Sequence, residues 1–304
     1  MAEPPFPPEI EREIFETTAL KYPNFAPTML RVAWHVHAWI EPLLYRVLVI
    51  DSEPIALALI SAMSRKSPEF FHNAVHHIAV PLDSSTGVPN RLFSPLEQVI
   101  SLCTGVRSFG CMDAFLNPRF IPIFTGMHDL RRLSCCLEVL FDTLIDKENS
   151  IDLTLPFFNT LTHLECFDFR PNSCVFIQKL LRLPKLTHLG IPEEYLRTAE
   201  QDGLFATLAE CPRIRILLFQ YDGSPRAYEA MKQPHIYDPR VVLVVSCGWD
   251  DWKAEARGAL RYWAEADDFV ARKRSGEGDI ETTRFWIHED AAGSTPKHVN
   301  VFTL

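Results

Sequence analysis

Two near-identical hexads stand 25 residues apart, Leu161-Thr162-His163-Leu164-Glu165-Cys166 and Leu186-Thr187-His188-Leu189-Gly190-Ile191. Imidazole is the side chain best suited to ligate a metal or to move a proton near neutral pH. If the hexads are neighbouring strands, His163 and His188 lie about 4.8 Å apart laterally, with Glu165 beside them. A zinc site would need a third convergent ligand, and none is apparent, so an exposed polar binding surface is the plainer reading. His76-His77 is a poorer pair, because adjacent strand residues face opposite sides and cannot chelate together. Asp250-Asp251 reads as acidic residues at a helix N-terminus rather than as an acid/base pair.

No catalytic constellation accompanies these residues. A phosphate-binding loop, a dinucleotide fingerprint, Gly-x-Ser-x-Gly and His-Glu-x-x-His are all missing from the sequence, so an enzyme is not expected, nor a cofactor or metal. The eight cysteines include no Cys-x-x-Cys. Cys111, Cys135 and Cys166 fall at the inward sixth position of their hexads, while Cys103 and Cys211 stand just before strands; all five suit small apolar core residues.

The hexads belong to a longer series. Looser copies of apolar-x-x-apolar-x-apolar occupy 44–49, 75–80, 106–111, 130–135, 214–219 and 240–245, so that successive starts lie 31, 31, 24, 31, 25, 28 and 26 residues apart. A period in this range points to stacked repeats, since one unit cannot bury its apolar face alone. Each hexad is expected to be a short strand with its fourth and sixth residues in the core and its third and fifth outward. Between hexads, apolar residues at helical spacing predict helices over 54–66, 94–103, 138–147, 173–183 and 200–209. The fold class is therefore α/β, a leucine-rich-repeat-like solenoid with parallel strands on the concave side and helices on the convex side. A doubly wound sheet is the alternative, disfavoured because no Gly-rich loop follows any strand. From 249 to about 272 the periodicity predicts a capping helix with Trp252, Trp263 and Val270 on one face, followed by a mobile tail and one further strand at 283–288.

In this register the outward columns gather Arg132, His163, Glu165 and His188 at the centre and Ile216 and Leu218 toward the C-terminal end. These six are the expected partner-binding residues. The formal net charge is −9, from 39 acidic and 30 basic residues, and no local basic patch is evident along the chain, so nucleic acid is not an expected partner. No apolar run reaches the roughly 20 residues that span a bilayer, and the acidic, proline-rich start is unlike a signal peptide. A soluble chain, cytoplasmic or nuclear, without membrane contact, is expected.

The first 50 residues add a resemblance. Phe6-Pro7-Pro8-Glu9-Ile10 with Ile14-Phe15, Val32-Ala33-Trp34-His35 with Trp39, and Leu43-Leu44-Tyr45-Arg46-Val47-Leu48-Val49 resemble the F-box, and Trp-Ile-Glu-Pro-Leu-Leu-Tyr-Arg (39–46) resembles fungal F-box-like proteins with leucine-rich repeats. Phe6 replaces the usual leucine, and the Asp-Leu that normally starts the second helix is missing. The resemblance implies a unit over 1–50 whose Pro7, Ile10, Ile14 and Phe15 dock on a Skp1-like adaptor, a repeat region over 51–247 that holds a client protein, and a capping helix and tail over 248–304. The implied role is substrate receptor of a cullin-type (SCF) ubiquitin ligase, monomeric outside that complex. The alternative is an interaction scaffold with a degenerate F-box that serves only as a cap.

Overall fold

The computed structural model describes residues 6–81, 88–142, 151–167, 174–193, 201–221, 238–245, Trp252, Ala256 and 262–276. Asp250, Asp251, the end of the helix expected over 138–147, the strand expected at 283–288 and the tail lie outside these residues. Eight parallel strands form one sheet in chain order: β1 Val47–Val49, β2 His77–Val80, β3 Ser108–Cys111, β4 Arg132–Cys135, β5 His163–Cys166, β6 His188–Pro192, β7 Ile216–Tyr221 and β8 Val241–Val245. Each lies within or overlaps one expected hexad. The strand order never reverses, as it does at the switch point of a doubly wound sheet.

Register follows the apolar pattern. Leu48, Ile78, Phe109, Leu133, Leu164, Leu189, Leu217 and Val241 are laterally paired in succession, and each is buried. The alternating residue period aims this column into one core, so a slip of one residue in any strand would turn its apolar set outward. Two hexads are read differently by the structure. In β1 the inward residues are Leu48 and Ile50, not Val47 and Val49, because the preceding helix runs through Pro42 to Tyr45 and delays the strand. In β8 the pairing of Leu217 with Val241 offsets the expected alignment by two, which preserves the faces.

Between the strands the chain crosses one face of the sheet. The helices there are numbered after the N-terminal three, α1 Pro8–Lys21, α2 Ala26–Met29 and α3 Trp34–Tyr45. They are α4 Glu53–Met63, α5 Pro68–Ala74, α6 Phe93–Leu102, α7 Phe120–Gly126, α8 Leu137–Leu140, α9 Cys174–Leu181 and α10 Gln201–Glu210. Leu59 of α4, Leu96 and Val99 of α6, Leu180 of α9 and Leu204 of α10 join the strand column in one core. Burying each such side chain contributes roughly 1.5–3 kcal/mol, which holds strands of only three to six residues in place.

Helix α5 was not expected. Its start is set by Ser67, whose Oγ accepts from Phe70 N at 3.2 Å, with Pro68 supplying the preset φ of a first turn. Gly105 lets the chain enter β3 beneath this helix, since a Cβ there would meet the His72 carbonyl oxygen at 2.1 Å. At the other end, half-buried Arg240 bonds the carbonyls of Leu208 (2.7 Å), Cys211 (3.0 Å) and Ile214 (3.3 Å), and pairs with Asp238 at 2.6 Å. It thereby satisfies carbonyl groups at the end of α10 and locks that end to β8.

The six described free cysteines, Cys103, Cys111, Cys135, Cys136, Cys166 and Cys211, are all buried. Burial pushes the Cys103 thiol up to about 12 and that of Cys111 well above its usual value, as expected of core residues rather than nucleophiles. No described helix is long and apolar enough to cross a membrane.

Candidate functional site

The sheet has a second face, and the sequence misjudged its C-terminal half. Helix α11, Tyr262–Ser275, does not cover the open end of the last strand. It lies against that face, where Trp263, Ala266, Phe269 and Val270 pack on Ile216, Leu218, Val242 and Val244. Ile216 and Leu218, expected as an exposed apolar flank, are fully buried. Glu165 and His188 are buried too, so the expected open column is closed over four of its six residues. The physical reason is plain: an apolar stripe on the helix and an apolar patch on the strands remove each other from water.

Where helix meets strands, polar groups are tightly matched. The His163 and His188 rings stack with centroids 4.0 Å apart and planes within 5°, as their pairing in β5 and β6 dictates. The Trp263 ring meets both edge-on, at 5.5 and 5.4 Å. Gly190 admits it, because a Cβ there would already touch Trp263 and Glu165 at 3.4 Å. Thr162 and Thr187 hydroxyls stand 2.9 and 2.7 Å from the Nδ1 of the histidine that follows each. Asp267 of α11 completes the contact, with His188 Nε2 at 3.1 Å and Arg215 at 3.0 Å.

Electrostatics there favour neutral imidazoles. Burial, then the neighbouring His188, Arg132 and Arg215, push His163 down to about 2. Burial also lowers His188, although Asp267 opposes the shift. Glu165 accepts from Ser134 Oγ at 2.8 Å and from Gln220 Nε2, so its carboxylate is engaged within the sheet. Among the described residues no group of three or more His, Cys, Asp or Glu side chains could hold a metal ion. The arrangement positions helix α11 against β5–β7.

Toward β2–β4 the same face is less completely covered: Ala79, Ser108 and Ser134 are buried, but His77 and Arg132 are only half-buried. A cleft there is lined by His77, Ser108, Arg132, Ser134, Trp252 and Trp263. Of the expected partner-binding residues, Arg132 is the one that reaches it. His77, Ser108 and Ser134 fall at outward positions of their hexads but were not expected as site residues, since small or neutral side chains there read as room beside the charged centre rather than as contacts.

The expected adaptor-binding residues sit elsewhere, on α1 and at Pro7 just before it. Pro7, Ile10 and Ile14 are exposed, Ile10 at 44 % and Ile14 at 48 %, while Phe15 turns inward to a small core of Ala19, Ala26, Val36 and Ile40. Phe6 and Trp34 add exposed aromatic surface, Trp34 at 85 %. Glu11 of α1 and His35 of α3 meet at 3.2 Å, which brings the starts of the two helices together. No protein-family model and no curated protein matches the chain.

Proposed function

We propose that the chain is a protein-binding receptor, an F-box-like unit joined to a leucine-rich-repeat solenoid, that presents a client protein to a cullin-type ubiquitin ligase. The observation that carries the reading is the exposure of Phe6, Ile10, Ile14 and Trp34 on a three-helix unit with its own small core. A cap exists to bury such side chains against the first repeat; a docking helix leaves them for a partner's groove. The in-order parallel sheet with crossover helices on one face supports the solenoid half of the reading. Phe15 does not take part in the docking surface on this reading, since it belongs to the unit's own core.

Co-precipitation with a recombinant Skp1-like adaptor tests the proposal. Wild-type chain should capture the adaptor at micromolar concentration, and the Ile10→Asp/Ile14→Asp variant should lose it while melting at the same temperature. Absence of capture by a folded wild-type chain would leave the alternative, an interaction scaffold whose helical unit no longer serves a ligase.

A further inference from the structure

Alternate residues of β7 and β8 serve two separate apolar clusters. Leu217, Phe219, Val241 and Leu243 join the core beneath the crossover helices. Ile216, Leu218, Val242 and Val244 point to the other side and form a cluster of their own with α11. Strand parity keeps the two apart, so the core that holds the repeats together lies on the helical side and α11 is a second layer laid on the sheet.

That layer has the anatomy of a docked helix. Its apolar residues Trp263, Ala266, Phe269 and Val270 stand at i, i+3, i+6 and i+7, the spacing by which an amphipathic helix lies in a groove. Trp263 is the anchor. Gly190 leaves the slot for its ring, and the stacked imidazoles of His163 and His188 form the wall that the ring meets. At i+4, Asp267 reaches the rim of the groove, where it pairs with Arg215 at 3.0 Å and with His188 Nε2 at 3.1 Å. The Asp267 and Arg215 side chains keep 33 % and 61 % of their surface in water. A solvated ion pair beside a dry aromatic anchor is the arrangement of a protein interface, with its apolar centre and polar rim.

We propose that α11 is the intramolecular occupant of a helix-binding groove, an autoinhibitory contact that a client displaces by presenting an amphipathic helix of its own. The groove specifies that helix: a large aromatic side chain at i, a small residue at i+3, a carboxylate at i+4 and an apolar side chain at i+6 or i+7. The small residue is required where Ala266 sits fully buried against the strands. The carboxylate is required by Arg215, which would repel a basic helix in that register. An incoming helix of this kind leaves only the stripe of α11 itself exposed, because the strand patch passes from one cover to the other. The proposal rests on the receptor reading only in calling the incoming helix a client.

Fluorescence anisotropy on the full chain without adaptor tests it, with a labelled synthetic peptide of residues 262–275 as the probe. Wild-type chain, whose groove is filled in cis, should bind the probe weakly. Trp263→Ala/Phe269→Ala, which loosens the resident helix, should bind it saturably and about ten-fold or more tightly. Adding Gly190→Phe, which fills the slot, should abolish that gain. Hydrogen exchange of the wild-type chain reads the same proposal without a variant: amides of α11 should open at lower free energy than those of β5 and β6, and it decides alone if the double variant fails to fold. Equal affinity of wild type and double variant, a gain that survives Gly190→Phe, or α11 amides that exchange only on global unfolding would overturn the proposal. Because no adaptor is present, these outcomes are separate from failure of adaptor capture.

Discussion

His163 and His188 lie face to face, 4.0 Å between ring centroids, beneath the edge of Trp263. Two stacked rings in a largely buried setting cannot both be charged at low cost. Both have folded-state pKa values below the unfolded value near 6.5, so the unfolded chain binds more protons in acid. The stability they contribute is complete above about pH 6.5 and is lost as pH falls toward 2 for His163. Melting temperature should therefore drop between pH 7 and pH 4, and His163→Asn should flatten that profile. An unchanged slope in the variant would show that other groups govern acid unfolding.

Gly190 should tolerate one methyl and little more. A Cβ at 3.4 Å from the Trp263 ring is ordinary contact, so Gly190→Ala should change stability by less than about 1 kcal/mol. Gly190→Phe must push α11 off the strands and should cost about 1–3 kcal/mol. Urea denaturation of both variants checks the contrast; equal effects would mean that α11 is not seated as described.

The buried side of each strand should dominate a substitution series. Leu164→Ala and Leu189→Ala should each cost roughly 2–5 kcal/mol. Ile216→Ala belongs with them, since α11 covers it, whereas half-buried Arg132→Ala should cost less than about 1 kcal/mol. Ile216→Ala behaving as a surface change in thermal melts would return that residue to the open face.

Thiol labelling offers an independent check of register. Cys103, Cys111, Cys135, Cys136, Cys166 and Cys211 should react slowly with an exposed-thiol reagent in the native protein and quickly in denaturant. Fast native labelling at Cys111, Cys135 and Cys166 together would place the sixth hexad position outside the core.

Local pattern determined the strands of this protein and the layer behind them. A short apolar hexad every 24 to 31 residues is a statement about which side chains must leave water, and residues such as Leu164, Leu189 and Cys166 sit where it puts them. The exposure of Ile10 and Ile14 was expected only from the F-box resemblance, since helical periodicity alone groups them on an apolar face that would sooner be buried. Even the one-residue slip at β1 has a local origin, in a helix that continues through Pro42.

Only tertiary structure decided what lies on the other face. The stripe of Trp263, Ala266, Phe269 and Val270 says that a helix must pack, but not whether on the last strand's edge or across the strands. That choice depends on Ile216, Leu218, Val242 and Val244 becoming one patch, which happens only when β7 and β8 are paired. It converted expected surface at Glu165, His188, Ile216 and Leu218 into interior. Sequence spacing specifies which side of its own element a residue occupies; the lateral partners that turn it into a site come from the fold.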